Sequence, residues 1–166
     1  MTKEIPLTQG QIALVDDEDY ERVIQRGKWF AQKDYGTGKF YAKVWVNESP
    51  YKLPLQNFIL PPPPGMVTDH IDRDRLNCQK HNLRIATHAQ NVRNRSKPCH
   101  NTSGFMGVFF IKQRRKYTAK ITSNGIHYHL GTFDNPEDAA YIYDIAAKIL
   151  HGKFASLNFL DSTIDF

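Results

Sequence analysis

A chain of 166 residues with 40% hydrophobic content can bury one ordinary core or two small ones, so one or two compact domains are expected. A net charge of +5 favours an acidic partner, and an aromatic content of 12% argues against wholesale disorder. No signal-peptide pattern or membrane-length apolar run is present, and two cysteines, Cys78 and Cys99, are too few for a disulfide framework, so a soluble cytoplasmic protein is expected, with no membrane partner.

Asp16 and Asp17 are placed to cap a short helix through Tyr20, Val23 and Ile24 that Gly27 ends. Residues 29–31 and 40–45 read as strands joined around Tyr35-Gly36-Thr37-Gly38. An apolar run over 53–60 stops at four prolines and Gly65, a rigid connector. A short strand over 66–68 then delivers Asp69 and His70. A polar excursion runs from Asp72 to Asn82, and residues 83–86 alternate as a second strand. Thr87-His88-Ala89-Gln90 has the form of a capping box, which starts a helix and puts Asn91 about one turn into it.

Residues 96–101 break that helix as a linker. Three alternating runs follow, over 105–111, 117–122 and 126–133, with Asn124-Gly125 as the turn between the last two. Asn135-Pro136-Glu137-Asp138 opens a final helix, whose stripe of Ala139, Ile142, Tyr143, Ala146, Ile149 and Leu150 faces the strands until Gly152 closes it. The fold class expected is α+β.

Charge is unevenly distributed. From Arg75 through Phe133 there is no Asp or Glu, while the same span carries eleven Lys and Arg residues. Such a stretch, interleaved with Phe, Tyr and His, suits a phosphate backbone, where each neutralised phosphate releases counterions. Strand alternation predicts Tyr117, Ala119 and Ile121, with Ile126, Tyr128 and Leu130, packed on the final helix. Lys116, Thr118, Lys120, Thr122, His127 and His129 then face outward. With Lys112, Arg114 and Arg115 in the turn, and Arg93 and Arg95 ahead of the linker, these are the candidate DNA contacts.

Phosphodiester hydrolysis needs a base for water, a cation for the developing charge, and a scaffold that holds both. His70 is the candidate base. Asp69 and Asn91 offer hard oxygen donors suited to Mg²⁺ or Mn²⁺. Asn82 can hydrogen-bond either the His70 ring or an adjacent backbone group. His81 and His88 are rivals for these roles, Asp72 and Asp74 suit turn-shaping, and Cys78, His81, Cys99 and His100 lack the paired spacing of a structural zinc site.

The stretch from Val67 through Asp69-His70-Ile71-Asp72 and Asn82-Leu83-Arg84 to Asn91 resembles the HNH endonucleases of phage and intron type, which have the ββα-metal fold. The resemblance implies Asp69 and Asn91 as ligands of one divalent ion, His70 as general base and Asn82 as its orienting residue. Gly104-Phe105-Met106-Gly107-Val108, Leu130-Gly131-Thr132-Phe133, Ala139-Ala140-Tyr141 and Leu157-Asn158-Phe159 are similar to the plant ethylene-response-factor DNA-binding domain, a three-stranded antiparallel sheet packed on one helix. Met106, Phe109, Thr122 and His129 stand where that family often has Arg or Trp, so its target sequence does not transfer.

The expected organisation is a lead-in over 1–65, the HNH core over 66–96, a linker over 97–101, the ethylene-response-factor-like domain over 102–160 and a tail over 161–166. The expected function is a homing-type or phage nicking endonuclease acting on double-stranded DNA as a monomer or homodimer, without an organic cofactor. The alternative is a non-catalytic DNA-binding regulator that keeps the HNH scaffold.

Overall fold

The computed structural model describes residues 1–46, 50–94 and 101–159. Arg95, Cys99, His100 and the tail over 161–166 lie outside the described residues, as does all but the last residue of the expected linker. The chain forms two compact units, Met1–Asn91 and Val92–Phe166.

The first unit opens with a hairpin that the sequence reading did not resolve, β1 (Thr2–Pro6) paired antiparallel with β2 (Ile12–Asp16). Helix α1 (Asp17–Arg26) follows, with three acids in its first turn where the helix dipole favours them, and Gly27 ends it at φ 133. Asp16 occupies the N-cap position but its side chain caps nothing. Its carboxylate instead accepts from Gln79 Nε2 at 3.1 Å and from the Lys80 backbone N–H at 2.7 Å, which ties a later loop to the first hairpin.

Strands β3 (Phe30–Lys33), β4 (Phe40–Trp45) and β5 (Lys52–Pro54) form an antiparallel sheet in that order. The β3–β4 turn is held by Asp34, which accepts from Gly36 N–H, the Thr37 hydroxyl and Arg75. The apolar run after β5 is α2 (Leu55–Ile59). Beyond the prolines, β6 (Met66–His70) pairs antiparallel with β7 (Leu83–Thr87), and α3 (His88–Arg93) follows directly.

One core serves this unit. Ile5, Val15, Val23, Trp29, Val44 and Leu55 pack with Cys78 and Leu83, so residues on both sides of the proline connector are buried together. Each such aliphatic side chain contributes about 1.5–3 kcal/mol by leaving water. The hairpin that carries Asp69 and His70 is thereby seated on a core made largely of residues before it.

The second unit has β8 (Val108–Ile111), β9 (Lys116–Ser123) and β10 (Ile126–Phe133) in the order β10-β9-β8, all antiparallel, with α4 (Pro136–His151) on one face. Asn124 and Gly125 both have positive φ, 51° and 79°, as a tight two-residue hairpin turn requires. The first strand begins three residues later than the alternation suggests. Gly107, at φ 71, brings the backbone against Tyr143, where a Cβ would lie 2.1 Å from the ring.

Three expectations for this sheet are corrected. Thr118 is buried rather than outward, because its hydroxyl turns back to donate to the Gly131 carbonyl at 3.2 Å. Ile126 and Tyr128 are 56% and 37% exposed rather than packed. The register shifts between His129 and Gly131, Leu130 alone of the three joins the clusters under α4, and the turn end of β10 runs outside them. On α4 the buried positions are Ala139, Ala140, Tyr143, Asp144, Ala147 and His151, and Ile149 is 69% exposed, so the buried stripe is rotated from the expected one.

Candidate active site and nucleic-acid face

The β6–β7 register pairs Asp69 with Arg84 and His70 with Leu83. Because successive side chains on a strand leave on opposite faces, Asp69 and His70 project to different surroundings. The Asp69 carboxylate is buried and its Oδ2 accepts from Arg84 Nε at 2.9 Å and pairs with Arg84 NH2 at 2.8 Å. The His70 ring is only 5% exposed and places Nε2 3.7 Å from the Cys78 sulfur.

Burial decides the charge state of that ring. Desolvation pushes the imidazole down to about 4, outweighing the pull of Asp72, Asp69 and Asp74, so His70 is neutral at pH 7 but holds a proton weakly while the ring stays buried. Burial also pushes the Cys78 thiol above its usual range, with Asp74 and Asp72 acting in the same direction, and it therefore stays a neutral S–H beside the ring.

Asn82 is buried at the end of the loop and spends its amide on that loop. Its Oδ1 accepts from Asp72 N–H at 2.9 Å, while Nδ2 donates to Asp72 Oδ1 at 2.9 Å and to the Asn77 carbonyl at 2.8 Å. Of the two roles open to it, these bonds, two of them to backbone groups and one to the Asp72 carboxylate, hold the loop that follows His70. Asp72 and Asp74 shape the turn by accepting from Asp74 N–H at 2.7 Å and Leu76 N–H at 3.0 Å.

The capping box at the start of α3 forms in both directions. Gln90 Oε1 accepts from Thr87 N–H at 2.8 Å and Thr87 Oγ1 accepts from Gln90 N–H at 3.2 Å. Asn91 lies half-buried one turn into α3, while His81 and His88 are exposed. Two neighbours of the site were missed in the sequence reading. Arg84 is readable only from the hairpin register, and the contact of the buried Cys78 with the His70 ring only from the fold.

Asp69 and Asn91 fit a hard divalent cation by the chemistry of their donors, one carboxylate and one amide oxygen, with water and phosphate oxygens left to complete the shell. Among the described residues no group of three or more His, Cys, Asp and Glu side chains is arranged to hold a metal.

In the second unit, Lys112, Arg114 and Arg115 are exposed in the β8–β9 turn. Lys120 lies opposite His129, and Thr122 lies opposite His127 and contacts its Nδ1 at 2.8 Å, all four exposed on the face away from α4. Lys116 is paired with Asp134 at 3.1 Å, and Arg93 donates to Asn124 Oδ1 at 2.8 Å, so both have protein partners besides any nucleic acid.

Residues 61–93, the span that holds Asp69, His70, Asn82 and Asn91, match the HNH endonuclease family. The chain is 32% identical over 154 residues to an uncharacterized HNH endonuclease of Acanthamoeba polyphaga mimivirus, covering 92% of this chain and 78% of that protein. It is 37% identical over 95 residues to Protein 3.8 of Escherichia phage T7, 57% of this chain and 78% of the relative. An ethylene-responsive transcription factor of Medicago truncatula is 34% identical over 86 residues, 49% of this chain but 31% of that protein.

The matched segment and the mixed α/β fold around it define a nuclease that acts on DNA. The chain belongs to the HNH endonuclease family, whose members generally depend on a divalent metal. Among the described residues no helix is long and apolar enough to cross a membrane.

Proposed function

We propose that the chain hydrolyses phosphodiester bonds in double-stranded DNA at a ββα-metal site, with His70 as general base and Asp69 and Asn91 holding one Mg²⁺ or Mn²⁺. The observation that carries this reading is the placement of His70 next in sequence to a charge-paired Asp69, at the end of a hairpin whose following helix carries Asn91. When bound, the cation supplies positive charge to the phosphate and the leaving oxygen. His70 accepts a proton from water at its unprotonated ring nitrogen. Asn82 keeps the loop after His70 in place through Asp72 and Asn77. Arg84 balances the Asp69 charge and orients its carboxylate.

Access to the ring is the demanding part. Cys78, which faces Nε2, belongs to the core of the unit and is tied to Leu14, so water and phosphate reach His70 only if part of the loop over 71–79 leaves that core when DNA docks. The same burial favours a second reading, a DNA-binding regulator that keeps the hairpin as scaffold. The second unit serves as the ethylene-response-factor-like DNA-binding module in either case, with Arg114, Arg115, Lys112, Lys120, His127 and His129 toward DNA. The chain acts as a homing-type or phage nicking enzyme, a monomer cutting one strand per site or a homodimer cutting two.

Supercoiled plasmid carrying candidate target DNA, incubated with the protein and Mg²⁺ or Mn²⁺, is expected to be nicked. His70→Gln is expected to abolish nicking while DNA binding persists. Nicking that survives the substitution removes His70 as base, and a wild type that binds but never cleaves with any divalent metal favours the regulator.

A further inference from the structure

We propose that the outward face of the β3–β4–β5 sheet binds single-stranded DNA by stacking unpaired bases on Trp45 and Phe30. On these strands Ala31, Ala42 and Val44 point into the core, so Phe30, Tyr41, Lys43 and Trp45 point away from it. The Phe30 and Trp45 rings are stacked with centroids 5.8 Å apart, and Trp45 is 51% exposed. Lys52 lies 4.5 Å from the Trp45 ring centroid and 5.8 Å from that of Phe30. Beside them Tyr41 carries Lys43 at 5.8 Å and the Arg75 guanidinium at 4.4 Å.

The lysines on this face are Lys43 and Lys52, on the same side of the sheet as Tyr41 and Trp45, and Arg75 sits over Tyr41 with its charge partly offset by Asp34, while Lys33 alternates to the Ala31 side. Cations alternating with exposed rings are what a single strand requires, since its bases offer π-faces while its phosphates need neutralising. A duplex keeps its base faces stacked on one another, so the half-exposed Trp45 and the partly exposed Phe30 beside it gain nothing from it beyond the lysines. Arg75 gives the face its relation to the chemistry. It lies five residues after His70, on the loop that covers the His70 ring, and is held to the sheet by Asp34 at 2.6 Å and Thr37 at 2.9 Å. A strand freed at a nick can be held here next to the loop that must move. This function is independent of the metal site and can be measured without it.

The two tryptophans separate the test cleanly. Trp29 is buried and donates to the Val23 carbonyl, so a stacked base can reach only Trp45. The full chain in EDTA, where hydrolysis is absent, is titrated with an oligothymidylate of about 12 nucleotides while tryptophan emission and oligonucleotide anisotropy are read. The expected result is loss of roughly half the emission on binding, with affinity reduced about ten-fold in Trp45→Ala and less than about three-fold in Trp45→Phe, which keeps a ring. Emission that does not move, an unchanged affinity in Trp45→Ala, a Phe variant as weak as the Ala variant, or equal quenching by a blunt duplex of the same length would each overturn the proposal. In those cases the lysines merely cover exposed rings.

Discussion

Two buried carboxylates, one in each unit, are satisfied in different ways. Asp144 on α4 is fully buried and accepts from the backbone N–H groups of Asn158 and Phe159 at 2.9 Å and from Asn158 Nδ2 at 3.0 Å, so it fastens the chain after the helix. Asp69 on β6 faces a guanidinium whose own residue sits opposite it in the hairpin. The donors around Asp144 hold the chain that follows α4, whereas Asp69 is balanced by a single guanidinium that the proposed cation would have to join or displace.

The contrast can be broken at several points. The largest effect is expected at His70, where Ala or Gln lowers plasmid nicking by at least about 10²-fold, the usual contribution of a positioned base, with gel-shift affinity retained. Next, Asp144→Ala leaves three N–H donors unpaired in a buried site and is expected to cost the second unit about 2–4 kcal/mol in urea unfolding, with little effect on chemistry in the first. If the Asp144 variant loses nicking while its second unit stays folded, the division between structural and functional carboxylates is wrong.

A pH measurement sharpens the same comparison. Because burial depresses His70 from its ordinary 6.5 to about 4, protonation favours the unfolded chain. The stabilisation is whole above pH 6.5 and drains away as pH falls toward 4, a loss of about 3 kcal/mol that circular dichroism should follow in the wild type. His151 in the second unit is also depressed by burial, against the pull of its bond to the Thr122 carbonyl, so that unit weakens in the same direction below pH 6.5. Stability of the first unit that is flat from pH 7 to 4 would mean the ring is not buried as described. The smallest effect is expected from Arg114→Ala or Arg115→Ala in the exposed turn. Each should reduce the slope of log affinity against log salt by about 1, because each neutralises at most one phosphate.

Much of the nuclease hairpin was legible from sequence because its signals are local. The proline stop, the second strand over 83–86 and the Thr87/Gln90 capping box each act over a few residues, and all recur in the structure, although burial along that strand does not alternate. What was not legible depends on partners far along the chain. Asp16 reads as a helix cap, yet its carboxylate is taken by Gln79 and Lys80 more than sixty residues away. The pairing of Asp69 with Arg84 requires the hairpin register, and the neutral state of His70 requires the core that buries it. Strand alternation failed at Thr118 because a threonine hydroxyl can satisfy itself on a neighbouring carbonyl, and it failed at Ile126 and Tyr128 because a bulge and the reach of one helix decide which part of a sheet is covered.

The central claim is that Asp69 and Asn91 share one cation used in the reaction, and the most direct measurement is the dependence of nicking rate on Mn²⁺ concentration in wild type and Asn91→Ala. If the amide oxygen of Asn91 is a ligand, its removal raises the half-saturating Mn²⁺ concentration by about ten-fold or more, and excess metal restores much of the rate. An unchanged half-saturating concentration, whatever happens to the maximal rate, would contradict it.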